Sequence, residues 1–186
     1  MKKFFAFAAC CAVLAALCAF GAAPSYAAGK EIVVYFSATG TTREAAETLA
    51  KLRGADVWEI VPEQPYTADD LNYRDDASRS NSEQRDGASR PAIAGGVRSL
   101  DEYDVVFVGY PIWWGNMPRI MYTFFDGCVL SGKTIAPFCT SGGSGVSASV
   151  STIKELEPQA KVTEGLRVRN GERDFAAWLE ETGLAK

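Results

Sequence analysis

Apolar residues recur along this chain in short blocks that alternate between a strand-like run and a helix-like period. Glu31–Phe36 is almost continuously apolar, as expected of a strand covered on both faces. Thr42–Leu52 follows, with Ala45, Leu49 and Leu52 on one helical face and Gly54 ending it. Ala55–Val61 predicts a second strand, stopped by Pro62. A long polar segment then runs to Asp101. Within it Thr67-Ala68-Asp69-Asp70 has the form of a helix N-cap and predicts a surface helix to about Arg85, closed by Gly87 and Pro91. Asp104–Tyr110 is the most apolar strand and is predicted to be central. Pro118–Phe125 reads as a helix with proline in its first turn. Lys133–Thr140 is a fourth strand, Ser147–Leu156 a helix, and Lys161–Val168 a short fifth strand. Glu172–Thr182 is the last helix, with Phe175, Trp178 and Leu179 as its buried stripe. This alternation predicts an α/β, doubly wound parallel sheet of five strands with helices on both faces. Ligands of such sheets bind outside the carboxyl ends of the strands, where strand order reverses.

Ahead of the first strand lies a different pattern. Lys2 and Lys3 precede an apolar run from Phe4 to Ala23, and Pro24-Ser25-Tyr26-Ala27-Ala28 supplies small residues for a signal peptidase. Residues 1–28 read as a secretory signal cut after Ala27 or Ala28, leaving residues 29–186 as one domain. The alternative is an uncleaved anchor, the one route by which the chain would touch a membrane. Net charge is −4, and loss of Lys2 and Lys3 makes it more negative. That acidity, with no long basic run, argues against nucleic acid as a partner. Cys10, Cys11 and Cys18 fall in the signal. Cys128 and Cys139 flank the fourth strand, which at ~3.3 Å per residue separates them by roughly 20 Å. A disulfide needs Cα atoms within about 7 Å, so two buried free thiols are expected. The chain contains no histidine, so the commonest acid–base catalyst and metal ligand is missing and a metal site is not expected.

Three loops at predicted strand carboxyl ends carry the candidate chemistry. Ser37-Ala38-Thr39-Gly40-Thr41-Thr42 joins the first strand to a helix N-terminus, where unpaired backbone N–H groups and the helix dipole favour a phosphate. Pro111-Ile112-Trp113-Trp114-Gly115 leaves the third strand and offers two large aromatic surfaces, of which Trp114 is the expected ring stacker. Thr140-Ser141-Gly142-Gly143-Ser144-Gly145 leaves the fourth and exposes backbone that can approach a flat ring. A phosphate tied to a planar heteroaromatic ring describes FMN. Rival motifs are missing: there is no Gly-x-x-x-x-Gly-Lys-[Ser/Thr] and no Gly-x-Gly-x-x-Gly after the first strand. Ser37 and Arg43 match the spacing of a tyrosine-phosphatase loop, but serine stands where that chemistry needs a thiolate.

These loops resemble those of the flavodoxin-like family, specifically the subgroup with Gly-Tyr-Pro-x-Trp-Trp-Gly and Thr-Ser-Gly-Gly-Ser-Gly. The resemblance implies strand order 2-1-3-4-5 and FMN held by Ser37, Ala38, Thr39, Gly40, Thr41, Thr42, Pro111, Ile112, Trp113, Trp114, Gly115, Thr140, Ser141, Gly142, Gly143 and Gly145. It implies no catalytic side chain beyond the cofactor's own chemistry. The implied function is electron transfer outside the cytoplasm, to a redox partner protein or a small acceptor such as a quinone. An NAD(P)H or quinone oxidoreductase, and a flavin-free binding module of the same fold, remain the alternatives. Two departures from acidic shuttle proteins stand out. The loop after Trp114-Gly115 lacks a carboxylate and carries Arg119, which implies a less negative flavin potential. Thr140–Gly145 also lacks an aromatic residue, so the outer flavin face is open unless Tyr66 or Tyr73 covers it.

Overall fold

A computed structural model describes residues 29–186, so the expected signal segment lies outside the described residues. The strands are β1 (Glu31–Tyr35), β2 (Asp56–Glu59), β3 (Val105–Pro111), β4 (Thr134–Thr140), β5 (Lys161–Val162) and β6 (Leu166–Arg167). The helices are α1 (Thr41–Arg53), α2 (Arg79–Arg85), α3 (Arg119–Gly127), α4 (Ser147–Leu156) and α5 (Glu172–Glu181). All pairings are parallel, in the order β2-β1-β3-β4-β5, with β6 also on β4. This is the doubly wound order that the family resemblance implied.

Side-chain alternation along the strands divides the core into two layers. Ile32, Val34 and Phe36 of the first strand region join Val106, Val108, Ile120, Phe124 and Ile153 on one face. Val33 and Tyr35 join Phe107, Phe138, Leu49, Phe175 and Trp178 on the other. Each fully buried side chain of this size contributes roughly 1.5–3 kcal/mol. The buried stripe of α5 is Phe175, Trp178 and Leu179, as its period indicates.

Three elements differ from the sequence reading. In α1, Leu52 is exposed and Arg53 is buried in its place. Ala46, Leu49, Ala50 and Arg53 form the inner stripe, because Arg53 makes two hydrogen bonds to Glu31 at the foot of β1 (3.0 and 2.6 Å). In the polar segment, Thr67 and Asp70 do cap one another, but the turn they cap ends at Leu71. A second start at Ser78, whose hydroxyl accepts from the Asn81 N–H, opens α2.

The fifth strand is broken in two, and Pro137 accounts for the break. Ile135 and Cys139 accept from Thr163 and Val168, so residues 135, 137 and 139 turn their backbone polar groups toward the fifth strand. Pro137 has no N–H to donate there. The chain bulges at Thr163–Gly165, and the Glu164 carbonyl accepts from the Trp178 indole N–H instead (2.8 Å). Gly165 allows that bulge to lie against α4, since a Cβ there would come within 2.6 Å of Val150.

Cys128 and Cys139 are both free; Cys139 is buried and Cys128 half-buried. Burial pushes both thiols up to about 12, so they are unreactive thiols at neutral pH.

Candidate functional site

The loop after β1 is closed by its own serine. The Gly40 N–H donates to Ser37 Oγ (3.1 Å), and Gly40 at φ 94 turns the chain into α1. The first-turn N–H groups of Thr41, Thr42 and Arg43 precede any intrahelical acceptor, and no side chain caps this end of the helix. Thr42 is buried, and its hydroxyl shares a 2.8 Å hydrogen bond with that of Thr140, which ties this loop to the end of β4.

The loop after β3 is a strained turn. Trp113 and Asn116 exchange backbone hydrogen bonds (2.8 and 3.1 Å) around Trp114 and Gly115. Both central residues have positive φ, 48 for Trp114 and 82 for Gly115, the pattern of a type I′ turn. Glycine adopts this region freely; a tryptophan there costs about 1–2 kcal/mol. Among the described residues Trp114 is the sole non-glycine with positive φ. The strain presents its ring outward, 50% exposed. Trp113 does the opposite and packs edge-on against Phe36 and Tyr66 (centroids 5.7 and 5.2 Å). Ile112 N–H donates to Thr140 O (2.9 Å), joining this loop too to β4.

The loop after β4 is held by a residue the sequence reading passed over. Arg167 donates to Ser141 O (2.9 Å) and Gly143 O (2.6 Å), and Gly143 N–H caps back to Ser141 Oγ (3.2 Å). Arg169 lines the groove beside it. Their one sequence signal was position, at the carboxyl end of the last strand.

Two cavities meet at Thr39, Pro111, Ile112 and Trp113. The larger, about 590 Å³, runs from Thr41 and Glu44 to Thr140, Ser141, Gly142 and Arg169. The smaller, about 400 Å³, extends from Ala38 and Thr42 past Trp114 to Leu71, Tyr73 and Ser80. Of the expected residues, Ser37 and Gly40 serve the loop's closure, and Gly115, Gly143 and Gly145 line neither cavity. The rest surround one composite groove.

The polar segment contributes more than its composition suggested. Gln84 Nε2 donates to Trp113 O (3.0 Å) and Met117 O (3.3 Å), clamping both stems of the tryptophan turn. Arg119 is not a cation at the groove: it donates to Gln84 O and Gly87 O and lies over the Tyr122 ring. Arg169, which lines the larger cavity, takes that place. Tyr66 does not cover the groove either. Its hydroxyl donates to Glu83 (2.5 Å), Arg79 stacks on its ring, and burial pushes its ionisation far up. Tyr73, 67% exposed, stands at the rim. Among the described residues no cluster of side chains could hold a metal ion, and no helix is long and apolar enough to cross a membrane.

The unpaired N–H groups and hydroxyls of Ser37–Thr42 fit a phosphate, and the outward Trp114 ring fits a planar heterocycle. A family model described as Flavodoxin matches residues 30–182. A provisionally named flavoprotein from Bacteroides eggerthii is 45% identical, with a TM-score of 0.77, covering 84% of this chain and 99% of that one. A similarly named protein from Bacteroides uniformis is 40% identical, with a TM-score of 0.78, covering 82% and 98%. A flavoprotein in complex with FMN from Lactobacillus acidophilus, 24% identical over 81% of this chain and 99% of its own, shares the fold at a TM-score of 0.60. No curated protein matches the chain.

Proposed function

Because this chain belongs to the flavodoxin family, we propose that it binds FMN and transfers electrons outside the cytoplasm. The observation that carries the reading is the strained Trp114–Gly115 turn, which sets an exposed indole beside a helix N-terminus rich in unpaired donors. Ser37–Thr42 would hold the phosphate through first-turn N–H groups and the Thr39 and Thr41 hydroxyls. Trp114 would stack on the ring, and Thr140–Gly142 would meet it with backbone. Bound FMN supplies one- and two-electron redox chemistry. The chain's own part is to hold the phosphate, to fix the ring against Trp114, and to bias the cofactor's charge with Arg169. A cation near the ring favours the more negative, reduced form.

Export rests on the Lys2-Lys3 start, the apolar run to Ala23 and the small residues before Gly29. The electron partner is a redox protein or a small acceptor such as a quinone. Added FMN tests the cofactor directly. Its fluorescence should be quenched with a saturable, micromolar or tighter Kd; flavin fluorescence unchanged by excess protein would mean a fold kept for another purpose. Location is tested by fractionating cells that express the full chain. Mature protein found only in the cytoplasm would remove the export half of the reading.

A further inference from the structure

We propose that α2 is a latch on the tryptophan turn that opens as a unit while the sheet stays folded, and that Gln84 is the positioning residue through which it fixes the pose of Trp114. The consequence for FMN rests on the flavin reading; the latch itself does not. The sequence of α2, Arg-Ser-Asn-Ser-Glu-Gln-Arg, holds no apolar side chain, and its buried residues are Ser80 and Asn81. A helix of seven residues with no apolar stripe has no hydrophobic face to dock and too few turns to hold itself. Its other contacts stay inside the polar segment: Ser80 N–H donates to Asp70 O (3.0 Å), Asn81 Nδ2 to Asp75 O (2.7 Å), and Glu83 accepts from Tyr66 (2.5 Å). Among the described residues, each hydrogen bond from α2 to the domain beyond that segment runs through Gln84. Its Nε2 donates to Trp113 O (3.0 Å) and Met117 O (3.3 Å), and its carbonyl accepts from Arg119 (3.1 Å).

The seam of this helix is incompletely satisfied. Ser80 Oγ, Gln84 Oε1 and Arg119 Nε are all buried without a hydrogen-bond partner. Ser80 and Gln84 stand one turn apart on the same helix face. Each orphan penalises the docked state, and opening to water removes that penalty. Segments with few buried apolar contacts are the first to open. At the far end of the link is the strained turn. Trp114 at φ 48 persists only where its surroundings fix it. From α4 it is fixed by Asn116, whose Nδ2 donates to Thr152 Oγ1 (3.0 Å) and whose Oδ1 accepts from Met117 N–H (2.8 Å). From α2 it is fixed by Gln84 on both stems. When α2 opens, the second anchor is lost and the indole no longer holds one pose. Release of FMN is therefore paced by the opening of α2.

The test is amide hydrogen exchange on the purified, FMN-free chain. The amides of α2 should exchange together, well ahead of those of β1 and β3. Gln84→Met keeps the side chain's length and helix preference and removes its donor. It should speed exchange of α2 and of the Trp113 and Asn116 amides, which bond one another across the turn, about tenfold. The β1 and β3 amides should stay within about twofold. Ser80→Ala deletes an orphan and should slow α2 exchange severalfold. Opposite signs at one seam separate a latch from general loosening, which moves all amides one way. Loaded with FMN, Gln84→Met should release it about tenfold faster and Ser80→Ala severalfold slower, read by flavin fluorescence on dilution. Exchange of α2 only in step with β1 and β3 overturns the proposal. So do unchanged Trp113 and Asn116 amides in Gln84→Met, or equal FMN release from Gln84→Met and the parent. A parent that binds no FMN sinks the flavin reading alone, because exchange on the FMN-free chain still decides the latch.

Discussion

At the amino ends of β1 and β3, Arg53 and Glu31 are sealed to 6% and 8% exposure and share two hydrogen bonds, with Lys186 closing on Glu31 at 3.4 Å. Beside them Lys30 bridges Asp56 and Glu102, and the Tyr103 hydroxyl donates to Asp56 (2.7 Å). That Tyr103 bond, then Lys30, holds the Asp56 carboxyl below its ordinary range. At the carboxyl ends of the same strands the balance is reversed. First-turn donors lack acceptors, and Trp114 sits exposed in a left-handed conformation. One end of the sheet finds its polar partners within the chain and the other leaves them for a ligand. The contrast teaches where stability and binding reside, and each can be perturbed without the other.

The largest expected effect is on the closed end. Arg53→Met leaves Glu31 buried with only Lys186 nearby, and should lower unfolding free energy by about 3–5 kcal/mol in urea. The FMN Kd of the folded fraction should stay within about twofold; a large loss of FMN affinity would show that the two ends are coupled. At the open end, Thr42→Val removes the hydroxyl bridge to Thr140. It should weaken FMN about tenfold, equal to ~1.4 kcal/mol, with a smaller change in stability. Trp114→Gly sharpens the contrast, because it should separate the two properties in sign. FMN binding weakens severalfold, while relief of the positive φ holds or raises unfolding free energy, by up to about 1 kcal/mol. A clear fall in stability would mean that Trp114 belongs to the framework.

The smallest effect at neutral pH comes from the thiols. Cys128 and Cys139 have folded values raised by burial from 9.0 to about 12. A raised folded value contributes stability that is fully present below the unfolded value and lost as pH rises through the folded one. Unfolding free energy should therefore be insensitive to these groups at pH 7 and fall between pH 9 and 12. Cys139→Ala should flatten that alkaline slope; an unchanged slope would assign it to the tyrosines.

What could be read from the chain, and what could not, divides along a related line. β1, β3 and β4 were legible because strands buried on both faces leave unbroken apolar runs. The three loops were legible because tight backbone needs glycine and phosphate needs hydroxyls. Leu52 was misplaced because periodicity counts apolarity and cannot see that Arg53 has Glu31 for a partner. The segment from Pro62 to Asp101 was opaque for the same reason. Its roles depend on single polar contacts: Gln84 clamps the Trp113 and Met117 carbonyls across 29 and 33 residues of chain. No period or motif marks Ser80 or Gln84. Arg119 shows the converse: a charge next to a functional loop in sequence, turned in space toward the end of α2.

Pro137 has one more consequence, which concerns molecules in number. A parallel sheet ends in two flanks whose unpaired amides can template the growth of a neighbouring copy. On one flank the rim is split into two pieces, Lys161–Val162 and Leu166–Arg167, because Pro137 withholds its donor. On the other flank β2 offers only Asp56–Glu59, with an acidic residue at each end. Neither rim gives a second copy a long ladder to zip onto. A proline in the middle of a sheet strand, costly to that strand's own pairing, thereby guards a crowded solution of this protein against fibre-like association.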